Sequence, residues 1–250
     1  MLMSIRENIA QIRERIAAAA RRANRNPDDV RLMAVSKTQP ADKIREAYEA
    51  GQRLFGENRV QEFQSKHAEL SASSPTAASA QVCEVFDIDK AEFHLIGHLQ
   101  SNKSSKAAEL FACVQSVDSL HLATKLDAAA EKLDRRLRIL LEVNIGGEEA
   151  KTGFAPDSEE LVQLIGRRKE LKHIEIRGLM TVPPFTEDPE GARIYFRDLR
   201  QLRNELAARM NFEMPELSMG MSHDFEIAVE EGSTCVRVGT AIFGARDYSK

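Results

Sequence analysis

Lys37 is the residue best placed for covalent chemistry. It closes the apolar run Leu32-Met33-Ala34-Val35 and is followed at once by the turn chemistry of Gln39-Pro40, so an amine sits where a buried strand meets its loop. Apolar surroundings disfavour the charged ammonium, and the free amine is the form that attacks a carbonyl carbon to make a Schiff base. Lysines also end strands without doing chemistry, so the reading depends on what gathers around this one. Lys103 and Lys151 follow predicted strands too, but each lies several residues into a loop, where hydration favours the protonated form.

Further positions could serve a ligand beside such an amine. Arg237 interrupts the apolar run Cys235-Val236-Arg237-Val238, and alternation puts it on the face shared by Cys235 and Gly239. A buried guanidinium needs an acceptor, either an internal carboxylate such as Glu142 or an atom of a bound ligand, and the sequence leaves both open. Ser218-Met219-Gly220-Met221-Ser222 offers hydroxyls and a glycine through which backbone N–H groups can approach an anion, and Gly239-Thr240 adds a second small, donor-rich turn. Gly56-Glu57-Asn58 reads as a polar loop in which Asn58 can donate to a phenolate-like oxygen. His94 and His98, either side of Gly97, have no adjacent nucleophile and read as structural. No P-loop, H-E-x-x-H or G-x-G-x-x-G occurs, which removes the commonest nucleotide and metalloprotease readings.

The elements that must position these residues follow a rhythm. Ile5, Ile9, Ile12 and Ile16 recur at helical spacing and predict an opening amphipathic helix. Strands are then predicted at 32–35, 54–55, 93–96, 113–117, 139–143, 174–180, 216–219 and 235–238, with helix-period segments at 41–50, 60–70, 104–110, 120–133, 158–165, 192–210 and 225–230. About eight strand–helix units in 250 residues suit a (β/α)8 TIM barrel, with an open doubly wound sheet as the alternative. The short, near-continuously apolar strands and the single stripe Phe196, Leu199, Leu202, Leu206 favour closure. Closure sets the last strand beside the first, so the loops after Leu217 and Val238 flank Lys37 at the carboxyl face, where such barrels commonly bind phosphate. The Ser/Ala-rich stretch at 71–80 reads as a flexible excursion, reaching to about residue 90, within one domain spanning 1–250.

Composition narrows the class. With 42% hydrophobic residues the chain can bury a large core, and a net charge of -4 with pI near 5.9 gives no basic face for a nucleic-acid partner. Arg6, Glu7, Arg13 and Glu14 deny the N-terminus the apolar centre of a signal peptide, and nowhere do 18 apolar residues run together to span a membrane. A soluble, cytoplasmic protein is expected. Cys83, Cys113 and Cys235 show no C-x-x-C pairing, so neither a disulfide framework nor a metal site is expected.

Five blocks, Val35-Ser36-Lys37-Thr38, Phe55-Gly56-Glu57-Asn58, the run from His94 to Lys103, the run from Leu217 to Ser222 and the run from Val236 to Gly244, together resemble the YggS/PROSC family of pyridoxal phosphate homeostasis proteins. The resemblance implies a fold-type III barrel, like the amino-terminal domain of alanine racemase, with pyridoxal 5'-phosphate (PLP) held as a Schiff base on Lys37. It implies that Ser218, Ser222, Gly239 and Thr240 lie near the phosphate, Arg237 faces the pyridine nitrogen, Asn58 lies near the ring hydroxyl and Met219 is close to the cofactor. An arginine at that nitrogen leaves it unprotonated and weakens the ring as an electron sink, which suits a carrier better than a catalyst. No segment after Tyr248-Ser249-Lys250 supplies the second domain that completes the racemase site, so a monomer is favoured. The expected function is to carry and buffer PLP, with PLP-dependent apoenzymes as possible recipients and vitamin B6 and amino-acid homeostasis as the outcome. An amino-acid racemase or decarboxylase of the same fold is the alternative.

Overall fold

The computed structural model describes residues 4–72 and 86–244. Its strands are β1 (Arg31–Val35), β2 (Leu54–Glu57), β3 (Glu92–Leu95), β4 (Cys113–Val117), β5 (Leu137–Glu142), β6 (Ile174–Met180), β7 (Glu216–Met221) and β8 (Cys235–Val238). All pair in parallel and in sequence order, and β8 pairs back onto β1 with Met33 opposite Arg237, so the sheet closes into a barrel. Closure resolves the choice between barrel and open sheet: with β8 joined to β1 no strand is left with an unpaired edge, whereas an open doubly wound sheet would keep two.

Helices α1 (Ile5–Arg22), α2 (Ala41–Glu49), α3 (Val60–Ala72), α4 (Ser104–Leu110), α5 (Leu120–Glu131), α6 (Glu159–Gly166), α7 (Arg193–Met210), α8 (Phe225–Glu230) and α9 (Thr240–Phe243) surround it. Each presents one apolar stripe inward; on α7 Phe196, Leu199 and Leu206 are buried and Leu202 is partly so. The ring has a gap after β8, because α9 is only four residues long. α1 fills it. Ile5, Ile9, Ile12 and Ile16 are buried, Asn8 Nδ2 donates to Ile242 O at 2.9 Å, and Arg15 and Arg22 pair with Glu226 and Glu230 of α8. Ser4 and Glu7 form a capping box that fixes where this helix starts.

Two strands run further at their carboxyl ends than their sequence suggests. β2 includes Gly56 and Glu57, which read as loop because a buried carboxylate is unfavourable; here the ammonium of Lys66 on α3 neutralises it. β7 continues through Met221, with an irregular register against β8 between Ser218 and Met221. Ser71 and Ala72 end α3, while the rest of the Ser/Ala-rich excursion and Cys83 lie outside the described residues.

The barrel interior is partly polar. Met33, Leu54 and Cys235 pack on one side, Cys113, Leu140 and Met180 on another, with His94, Gln115, Ser218 and Arg237 buried in the strands alongside. Toward the amino-terminal end Glu92 pairs with Arg31 and Arg138, both at 2.7 Å, and Arg177 pairs with Glu175 and Glu216, both at 3.0 Å.

Candidate functional site

The turn that carries Lys37 is braced from below. Ser36 Oγ donates to Glu57 Oε1 at 2.7 Å, and Lys66 Nζ donates to Glu57 Oε1 and Oε2 at 3.0 and 3.1 Å and to the Ser36 carbonyl at 2.9 Å. Burial pushes the Glu57 carboxyl up from its ordinary range, against the pull of Lys66 and Ser36. Lys66 also pairs with Glu62 at 2.8 Å, and Glu62 accepts the Thr38 N–H at 2.6 Å. Thr38 has φ 64°, a left-handed conformation unusual for a β-branched residue, and that hydrogen bond helps hold it. Lys37 is thus presented by a fixed turn.

Across the seam, β7 and β8 supply the opposite wall. Gly220 has φ 93°, and a Cβ there would lie 2.5 Å from the Ala228 Cβ, so only glycine lets the chain bend over α8. Asp224 Oδ1 accepts the Met221 N–H at 2.6 Å and fixes the bend; its carboxyl is pushed up by burial. Ser222 is thereby set against β8, where its Oγ accepts from the Gly239 N–H and bonds Thr240 Oγ1, both at 3.3 Å. A Cβ on Gly239 would meet the Val35 carbonyl at 3.3 Å, so β8 runs tightly past the end of β1.

Between these walls opens a cavity of about 400 Å³ at the carboxyl-terminal rim, a size typical of small-ligand sites. Lys37, Asn58, Ser222, Arg237, Gly239 and Thr240 supply its polar lining, and Val35, Ile96, Val182 and Met221 its apolar one. Lys37 and Arg237 therefore open onto the same space. Asn58 is placed by close packing, since a Cβ on Gly97 would lie 2.4 Å from the Asn58 carbonyl oxygen.

Arg237 is 4% exposed. Nη1 donates to Ser218 Oγ and Nη2 to the Thr181 carbonyl, both at 2.7 Å. These acceptors are a hydroxyl and a carbonyl, not a carboxylate; Glu142 instead accepts from Thr152 Oγ1 at 3.3 Å. Burial lowers the proton affinity of Arg237, with Asp224 and Glu142 opposing from a distance, yet a guanidinium keeps its proton. A buried cation with donors to spare at a cavity wall is suited to a ligand acceptor.

Ser218 and Met219 lie elsewhere. β7 runs on to Met221, which leaves Ser218 inside the barrel with its hydroxyl between Arg237 and Gln115, and turns Met219 outward into the core around Phe225 and Ala228. Neither lines the cavity. Lys103 and Lys151 are also absent from the cavity wall; Lys151 pairs with Glu148 and donates to the Pro183 carbonyl at 3.2 Å. Lining residues not anticipated as ligand contacts include Gln39, Val182, His223 and Gly244. His223 Nε2 bonds the Thr186 carbonyl at 3.1 Å, a tie between distant loops that no local pattern announces.

This architecture has relatives at two levels. At the level of class, the family model "Alanine racemase, N-terminal domain" matches residues 7–247, and alanine racemase of Clostridium difficile 630 superimposes with a TM-score of 0.66 over 98% of this chain and 58% of that one at 16% identity, a likeness of fold alone. Closer matches are proteins named pyridoxal phosphate homeostasis protein. The one from Aquifex aeolicus (strain VF5) is 43% identical over 246 residues, 98% of this chain and 100% of the relative, and the one from Escherichia coli (strain K12) is 41% identical over 250 residues, 98% of each. PipY of Synechococcus elongatus PCC7942 has been solved without PLP and with PLP bound; at 38% identity the two superimpose with TM-scores of 0.81 and 0.79 over 96% of this chain and 100% of theirs. The chain belongs to the alanine racemase N-terminal domain family and, within it, to the pyridoxal phosphate homeostasis proteins.

Proposed function

We propose that this protein binds PLP at the carboxyl-terminal rim of its barrel and carries and buffers it, maintaining vitamin B6 and amino-acid homeostasis with little or no catalytic turnover. The observation that carries this reading is that Lys37 and Arg237, from opposite ends of the sequence, line one cavity. When bound, PLP supplies an electrophilic aldehyde and an electron-withdrawing ring. Lys37 provides the amine that takes the aldehyde covalently, and Ser222, Gly239 and Thr240 provide hydroxyl and backbone donors for the phosphate. Asn58 would donate to the ring oxygen, and Val35, Ile96 and Val182, which line the cavity, would enclose the ring against water.

Arg237 would face the ring nitrogen as a permanent donor. Because a guanidinium holds its proton, that nitrogen stays unprotonated and the ring remains a weak electron sink, which favours holding the cofactor over turning substrates. In this reading the protein acts in the cytoplasm as a monomer and hands PLP to PLP-dependent apoenzymes. Among the described residues no helix is long and apolar enough to cross a membrane.

The test is borohydride reduction of the PLP-loaded protein followed by peptide mass analysis. A pyridoxyl group on the peptide containing Lys37 is expected; attachment at Lys103 or Lys151 overturns the site. Substantial turnover of a panel of L- and D-amino acids overturns the carrier role in favour of a racemase or decarboxylase.

A further inference from the structure

A line of hydrogen bonds runs from the cavity through the barrel interior. Arg237 Nη1 donates to Ser218 Oγ at 2.7 Å, Ser218 Oγ donates to Gln115 Oε1 at 2.7 Å, Gln115 Nε2 lies 2.8 Å from His94 Nδ1, and His94 Nε2 lies 2.5 Å from Glu92 Oε1. Ser218, Gln115 and Arg237 are buried, as is His94. The two charged ends fix the direction of every bond. An arginine only donates, so the Ser218 hydroxyl must accept from it and pass its own proton to the Gln115 carbonyl. That turns the Gln115 amide NH2 toward His94, whose Nδ1 must then be unprotonated and whose proton sits on Nε2, facing Glu92. Glu92 stays ionised because His94, Arg31 and Arg138 outweigh its burial.

We propose that Gln115 is a positioning residue for the cofactor site: read in one direction by the neutral His94, its amide holds Ser218, and through Ser218 the Arg237 guanidinium, at the wall where PLP binds. The inference rests on the PLP-binding reading above. Gln115 touches no part of the cavity, so its effect passes wholly through Arg237. Protonation of His94 at Nδ1 would set one N–H against the Gln115 NH2, and the amide could relieve this only by turning its NH2 to Ser218, whose proton would then lose its acceptor. Burial lowers the affinity of His94 for that proton. The groups facing His94 are Glu92 on its own strand, Arg31 on β1, Cys113 on β4 and Arg138 on β5.

The experiment compares Gln115→Leu and Gln115→Glu with the unaltered protein by PLP dissociation constant and by the pH dependence of the visible absorption band of the loaded protein. In the unaltered protein the band should change on the acid side as His94 takes up a proton; Gln115→Leu should abolish that change and weaken PLP binding about tenfold or more, as loss of a hydrogen bond supporting a charged group implies. Gln115→Glu can accept from both Ser218 and a protonated His94, so it should recover most of the affinity while moving the acid-side change to higher pH. Unchanged affinity and spectrum in Gln115→Leu overturn the proposal, and so does a Gln115→Glu variant that behaves as Gln115→Leu, since packing alone would then explain the loss. If the unaltered protein takes up no PLP at all, the PLP-binding reading fails first.

Discussion

Lys66→Met should expose the cost of the buried carboxylate beneath the Lys37 turn. Glu57 is fully buried and the Lys66 side chain is 11% exposed, so methionine keeps the volume while removing the charge that neutralises Glu57. Breaking such a pair costs about 3–5 kcal/mol if the partner stays ionised. Glu57 can escape by taking a proton, and that limits the loss. From an unfolded value of 4.5, holding the proton at pH 7 costs about 1.36 kcal/mol per pH unit, or about 3.4 kcal/mol in all, falling to about 0.7 kcal/mol at pH 5. The folded variant binds the extra proton, so its stability falls as pH rises above 4.5. At about 2–4 °C per kcal/mol for a chain of this size, the melting temperature should drop by about 7–14 °C at pH 7 and by only about 1–3 °C at pH 5. Urea unfolding of the apoprotein at both pH values measures the difference, and the double variant Glu57→Gln with Lys66→Met should recover most of it. A loss below about 1 kcal/mol at pH 7, or one independent of pH, would refute the electrostatic account.

Three further outcomes are expected. Arg237→Met should weaken PLP binding at least tenfold while leaving the apoprotein within about 2 kcal/mol of its original stability, since the desolvation cost of the cation disappears along with its two hydrogen bonds; a larger loss of stability in denaturant would assign Arg237 to the scaffold. Gly220→Ala combines a positive φ with a 2.5 Å clash and should destabilise by about 2–4 kcal/mol, whereas Gly147→Ala, at φ 66° with nothing within 4 Å, should cost about 1 kcal/mol; thermal melts showing equal losses would contradict this. His94 is held below its ordinary value of 6.5 by burial, so the unfolded chain takes up that proton first. Its contribution is complete above pH 6.5 and is lost as pH falls through the folded value, and His94→Asn should flatten the decline in melting temperature on that side.

Much of the barrel was legible because parallel strands buried on both faces cannot hide their apolar runs: 113–117, 174–180 and 235–238 agree with β4, β6 and β8 at both ends. The polar interior was not. Glu57 looks like loop until Lys66 is seen against it, and Lys66 sits on the next helix with nothing in its spacing to mark it as buried. The segment 218–222 reads as a donor-rich stretch where the strand predicted at 216–219 gives out, but the strand persists to Met221, and its irregular register decides which side chains face in. Ser218 is consequently inside the barrel, Met219 outside, and only Met221 and Ser222 reach the cavity. Arg237 was found by its incongruity, a charge in an apolar strand; Gln115, neutral in a similar strand, gave no such signal.

Because β1 closes against β8, the joint that completes the barrel is also the floor of the cavity. Residues from both ends of the polypeptide line it, so the full set of lining groups comes together only once the barrel has closed, and binding there would read out that closure. By mass action a ligand held there would also stabilise the closed barrel, by about 2.7 kcal/mol when present at a hundred times its dissociation constant. Loss of a ligand from that cavity would withdraw this support from the seam itself.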